Sequence, residues 1–81
     1  MSATFHLTIA SVGNVIFDGE VVSATIPGIA GELTILARHE PLVTTLKSGT
    51  ITVKESTGDP KEFIVEGGVL ECSGNRAVVL L

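Results

Sequence analysis

Apolar and polar residues alternate along most of this chain with a period close to two. In "TFHLTIA" Phe5, Leu7 and Ile9 fall on one face while Thr4, His6 and Thr8 fall on the other, the signature of a strand buried on one side. That parity puts the His6 ring on the solvent side. "VVSATIP" repeats the pattern with Val22, Ala24 and Ile26, and Pro27, which cannot donate to a ladder, is expected to end it. "GTITVKES" does so again, with Ile51 and Val53 set against Thr50, Thr52 and Lys54. The following "TGDP", Thr57 to Pro60, carries turn chemistry: glycine tolerates positive φ, aspartate hydrogen-bonds its own backbone and proline presets φ. The chain is expected to return there as a hairpin through "KEFIVEG". "GVLEC" and "RAVVLL", parted at Gly74 and Asn75, read as a second hairpin.

Nine glycines and three prolines fall mainly between these runs. This spacing predicts an all-β fold, an antiparallel β-sandwich or flattened barrel of about eight to ten short strands. Helical spacing comes nearest in "HEPLVTTLKSG", where Leu42, Val43 and Leu46 could share a face, but two threonines and the flanking Pro41 and Gly49 oppose a helix there. With 81 residues the chain is one domain, 1–81. A domain of this size buries only about 60–65% of the surface its unfolded chain exposes, which leaves little room for a deep pocket.

Charge and composition narrow the function. Hydrophobic residues make up 44% and charged ones 17%, the balance of a chain that folds. The net charge is −4 and no cluster of Lys or Arg occurs, so the electrostatic footprint of nucleic-acid binding is missing. The opening "MSATFHLTIAS" has no basic start and no long apolar run, so neither a signal peptide nor direct membrane insertion is expected. The single cysteine, Cys72, reads as a small buried hydrophobe on a strand.

Catalytic chemistry has few candidates. His39 and Glu40 match the start of a zinc-helix signature, yet the second histidine is missing and Pro41 would break the helix. "PGIAGE", Pro27 to Glu32, is glycine-rich but lacks the Lys-Ser or Lys-Thr of a phosphate-binding loop. No catalytic, metal or cofactor residues are therefore assigned. Two non-enzymatic classes remain, a protein-interaction domain and a small β-sandwich carrier whose lysine accepts biotin or lipoate. Lys47 in "TLKSGT" sits near a turn, but its neighbours are Leu46 and Ser48, where carriers resemble a methionine- or aspartate-flanked lysine.

Five segments in order, "FHLTIAS", "VIFDGEVVSATIPG", "GELTIL", "HEPLVTTLKSGTITV" and "EGGVLECSGNRAVVLL", cover essentially the whole chain. Together they resemble the N-terminal β-sandwich domain of the epsilon subunit of F-type ATP synthases, called delta in mitochondria. The resemblance implies a non-catalytic central-stalk subunit that clamps the gamma subunit to the membrane c-ring, at the cytoplasmic face of a bacterial cell membrane. It also implies that "GELTILARHEPLV" is a docking surface. There Glu32 matches the family's acidic position in Gly-Glu-Leu, facing basic ring loops, and His39, Leu42 and Thr44 match positions associated with stalk contact.

The chain departs from the family in two places. It has Ala37-Arg38 where the family usually has Pro-Gly, and Glu40 where the family has a small residue; the local turn geometry is thereby left open, and Arg38 and Glu40 are placed to pair on the surface. The family's C-terminal two-helix domain has no counterpart in the 81 residues, so neither inhibition of ATP hydrolysis nor nucleotide binding is carried over. Gly67 and Gly68 match the family's double glycine ahead of a strand, which admits close backbone approach or a bulge. Val21, Ile29 and Leu42, without an obvious inward assignment, are expected to contribute an exposed apolar patch and weak self-association of the isolated chain.

Overall fold

A computed structural model describes residues 3–81; Met1 and Ser2, the first residues of the stretch read for a leader, lie outside them. Nine strands and no helix occur among the described residues: β1 (Phe5–Ser11), β2 (Asn14–Val21), β3 (Ser23–Gly28), β4 (Gly31–Leu36), β5 (Leu42–Leu46), β6 (Gly49–Lys54), β7 (Lys61–Val65), β8 (Gly68–Ser73) and β9 (Arg76–Leu80). The ladder runs β2-β1-β9-β8-β5-β3-β6-β7, with β4 paired to β3. Between β5 and β3 it narrows to one register pair, Gly28 with Leu46, held on either side by Ile29 N–H to Thr45 O and Lys47 N–H to Pro27 O, both 2.9 Å. This corner divides the molecule into a five-stranded sheet, β2-β1-β9-β8-β5, and a four-stranded sheet, β4-β3-β6-β7.

Across from that corner the sandwich is closed by side chains. Phe17 on β2 meets Phe63 on β7 edge to face, 5.8 Å between centroids, and Lys61 Nζ lies 5.5 Å from the Phe17 ring centre. Aromatic and cation–π contacts of this kind each contribute about 0.5–1.5 kcal/mol. The result is the expected sandwich or flattened barrel, open only in its backbone ladder.

The inward residues form one core. Phe5, Leu7 and Ile9 of β1 pack with Val21, Leu46, Leu70, Cys72, Ala77 and Val79, and across the sandwich with Ala24, Ile26, Ile35, Ile51, Val53 and Val65. Among the described residues no polar or charged one is buried with them. Burial raises the Cys72 thiol pKa, in keeping with an inert structural cysteine.

Both predicted hairpins form. Lys61–Val65 returns along β6, and β8 turns into β9 through Gly74 and Asn75; only Gly74 has positive φ, the pattern of a type II′ turn. Pro27 does not end its strand, because β3 runs through to Gly28. The β6 ladder has already stopped at Thr25, so the missing proline N–H leaves no ladder partner unmatched. Strand β2 was hidden from the alternation by the apolar run Val15-Ile16-Phe17. Ile9 pairs with Phe17 and Ala10 with Val15, so Ile16 is the extra residue of a β-bulge that breaks the period.

At Gly28 and Gly68 a side chain would run into backbone. A Cβ on Gly28 would lie 2.7 Å from both the Gly31 carbonyl oxygen and Leu33 Cδ2. At Gly68, φ is +140° and a Cβ would collide with the Leu80 carbonyl, which is the close backbone approach expected of the double glycine.

Candidate docking surfaces

The stretch read as one docking surface is split by β4. Glu32 is exposed on β4 opposite Pro27, next to the Ile29–Ala30 turn where Ile29 is 62% exposed. Strand β4 continues for four residues beyond Glu32, to Leu36, about 13 Å at the rise of an extended chain, before the chain reaches Arg38, His39 and Glu40 at the other end of the sandwich. Glu32 and His39 therefore belong to different ends.

The loop from Ala37 to Pro41 is shaped by its backbone. Arg38 has φ +60° and is the one non-glycine residue with positive φ among the described residues, so it occupies the left-handed conformation for which glycine is suited. Its N–H donates to Asn75 Oδ1 at 2.9 Å. The Asn75 amide in turn donates to the Thr4 carbonyl at 2.7 Å, while the Asn75 carbonyl accepts from His6 N–H at 3.1 Å. One asparagine thus ties the β4–β5 loop, the β8–β9 turn and the start of β1. His39 is half-buried and donates from Nδ1 to the Glu40 carbonyl at 2.8 Å, which leaves Nε2 as the free ring nitrogen. Arg38 and Glu40 do not pair: the ion pairs among the described residues join His6 to Asp18 and Glu20, and Lys61 to Glu55.

Leu42 and Thr44 face inward rather than out. They lie opposite Cys72 and Leu70, both buried, and Leu42 packs on the core. The outward residues of β5 are Val43, 68% exposed, and Thr45. The expected apolar patch is corrected in the same way: Val21 is fully buried, Leu42 is half-buried, and of the three only Ile29 is exposed.

A different apolar surface takes its place. Register carries Thr45 to Val69, Val69 to Leu80, Leu80 to Ala10 and Ala10 to Val15, a single row across all five strands of the larger sheet. Val69, Leu80 and Val15 are exposed, as is Val43 in the neighbouring row. Exposed apolar residues set side by side on a sheet face make it a candidate surface for meeting another molecule. The signal was present in the sequence, in the apolar outward parity of "GVLEC" and "RAVVLL", but an outward position can be assigned only once its partner strands are known.

Lys47 is not at a hairpin tip. With Ser48 it crosses from β5 in the five-stranded sheet to β6 in the other, and these strands do not pair. A carrier lysine has no counterpart here. Among the described residues no group of three or more His, Cys, Asp or Glu is placed to hold a metal ion.

A small β-sandwich with an aliphatic row on one outer face and two differently built ends has the form of an interaction domain. The family model of the ATP synthase delta/epsilon chain β-sandwich domain matches residues 4–81, and the chain belongs to that family. It is 40% identical over 76 residues to the ATP synthase epsilon chain of Chlorobium limicola, covering 94% of this chain and 86% of the relative. It is 38% identical over 80 residues to the epsilon chain of Dichelobacter nodosus, covering 99% of this chain but 56% of the relative, so it spans little more than half of that protein's length. Its fold matches a chain in the mitochondrial ATP synthase of Euglena gracilis with a TM-score of 0.90 at 24% identity, covering 99% of this chain and 51% of the other. A chain from the central stalk and c-ring of the Tetrahymena thermophila enzyme gives a TM-score of 0.79 at 15% identity, covering 98% and 63%.

Proposed function

We propose that this domain is the rotor-side sandwich of an F-type ATP synthase epsilon chain: a non-catalytic unit that clamps the gamma subunit of the central stalk to the membrane c-ring. Through that clamp, proton-driven rotation passes into ATP synthesis. The observation that carries the reading is the family match over residues 4–81. A clamp needs two surfaces, and the aliphatic row suits the stalk, because buried apolar contacts supply most of the affinity at an interface. The Glu32 end suits polar, basic ring loops, where charge sets register and orientation more than affinity. His39 shapes the opposite end, and Leu42 and Thr44 act from the inner face, by holding β5 so that Val43 and Thr45 present outward. A close-packed core transmits force with little deformation. The domain is held at the cytoplasmic face of the bacterial cell membrane by the ring, with no insertion of its own.

Native mass spectrometry of the intact chain mixed with its cognate gamma subunit and with c-ring in nanodiscs tests this. A complex containing all three is expected, with no ATP turnover by the chain alone. Affinity for gamma no greater than for an unrelated helical protein would sink the reading. Sedimentation over a concentration series measures the weak self-association that an uncovered aliphatic row favours.

A further inference from the structure

Beside the aliphatic row, the outer face of the β1–β2 hairpin carries a polar cluster. His6 on β1 lies opposite Glu20, and Thr8 opposite Asp18. The His6 ring stands between the two carboxylates, with Nε2 2.5 Å from Asp18 Oδ1 and Nδ1 3.0 Å from Glu20 Oε2. Threonines flank it: Thr8 Oγ1 donates to Asp18 at 3.0 Å and Thr4 Oγ1 to Glu20 at 3.1 Å. A neutral imidazole has one N–H and one lone pair, so it satisfies one carboxylate and turns its lone pair toward the other. Only the imidazolium donates to both.

We propose that His6, bridging Asp18 and Glu20, is a proton-operated clamp that fastens edge strand β2 to β1 in mildly acidic solution and loosens it as the solution becomes alkaline. Strand β2 depends on such a clamp more than its neighbours do. It is an edge strand whose ladder is with β1 alone, and that ladder is broken by the bulge at Ile9 and Ala10. The charged groups that face the ring are Asp18 and Glu20 from β2 and Arg76 from β9, which lies opposite His6 in register. Two carboxylates against one guanidinium leave a net negative field that favours the cation.

The titration directions agree with this geometry. The His6 pKa is raised from 6.5, first by its hydrogen bond to Asp18 and then by that to Glu20. The Asp18 pKa is lowered from 3.8, first by His6 and then by Thr8. A raised imidazole pKa gives stability that is complete below pH 6.5 and lost as the pH climbs through the folded-state value. A lowered carboxyl pKa gives stability that is present above 3.8 and lost as the pH falls through its folded-state value. The clamp is closed in the window between them.

Histidine NMR titration and amide hydrogen exchange on the intact chain test the proposal. The His6 midpoint is expected above 6.5. After correction for intrinsic rates, protection of the β2 amides relative to those of β6 and β7 is expected to fall about threefold between about pH 5.5 and about pH 8.5, the size a cross-strand charged pair supports. His6→Gln should abolish the change, and Asp18→Asn combined with Glu20→Gln should return the His6 midpoint towards 6.5. A wild-type midpoint at or below 6.5 overturns the proposal. So does β2 protection that does not vary with pH, or a pH response that survives His6→Gln intact.

Discussion

The two sheets of this sandwich share one core and one strand period, yet the central rows of their outer faces differ in chemistry. On the four-stranded sheet Thr34, Thr25, Thr52 and Glu62 form a row by register, and the Thr25 and Thr34 hydroxyls are 3.3 Å apart. Its exposed aliphatics, Leu36 and Ile64, sit on the two edge strands with β3 and β6 between them. The corresponding row on the five-stranded sheet is Thr45, Val69, Leu80, Ala10 and Val15. Both faces were free to be threonine-rich, since threonine suits a strand as well as valine does. Only one is, and that asymmetry is the reason for proposing the aliphatic row as the part that a partner covers.

The strongest test replaces apolar residues on one face and leaves the other alone. Val69→Asp with Leu80→Asp should weaken binding to the gamma subunit by about 100-fold, the loss of roughly 3 kcal/mol expected from charging the centre of an apolar interface. Thr25→Asp with Thr52→Asp on the opposite face should leave the affinity within about twofold, in line with residues outside the contact. Calorimetric titration of both variants decides the matter, and equal losses would erase the distinction between the faces.

Asn75→Ala probes how the end of the five-stranded sheet is tied to the loop arriving from the other. It removes the acceptor of Arg38 N–H and the donor to the Thr4 carbonyl. Urea unfolding should show a loss of about 1–2 kcal/mol, from two hydrogen bonds of ordinary net worth. A loss near zero would mean that water replaces both.

Glu32→Lys should leave the melting temperature nearly unchanged and weaken binding to the c-ring about fivefold at low salt, since rim charges contribute little energy and act mainly on encounter. The deficit should shrink as ionic strength rises. Glu55, at first sight a matched control on a distant hairpin, is unsuitable because its carboxylate pairs with Lys61 at 2.9 Å. Asp59 in the same turn is exposed and makes the better control, as Asp59→Lys.

Arg38→Gly has the smallest expected effect. It relieves a left-handed arginine, worth about 1–2 kcal/mol, but adds unfolded-chain freedom that takes back about 0.5–1 kcal/mol. A net gain of up to about 1 kcal/mol should appear in urea unfolding. Destabilisation would show that the side chain holds the loop in a way its exposure does not suggest.

Most of the fold was legible because alternation survives wherever one face is buried and the other wet. It failed at β2, where a bulge places three apolar residues in succession, and at Pro27, where the end of a neighbouring ladder lets a strand continue through proline. The site was less legible. The resemblance points to Glu32 and His39, and sequence proximity suggests one surface where the length of β4 separates two ends. Leu42 and Thr44 lie one residue out of phase with the exposed side of β5. On a strand, such a one-residue offset exchanges solvent for core, and the correct phase is fixed only by β8 opposite.

The parallel pairing of β1 with β9 bears on how the domain comes into being. Asn75 and Thr4, joined by a hydrogen bond, are 71 positions apart in sequence, and the strand between β1 and β8 in the sheet is the last of the nine in chain order. A nascent chain emerging from the ribosome therefore carries its first hairpin with one flank unpaired until residues 76–80 have cleared the exit tunnel. Non-local closure of this kind slows folding and leaves strand edges open to wrong partners in the interval, so this small domain has to be held out of trouble during nearly the whole of its own synthesis.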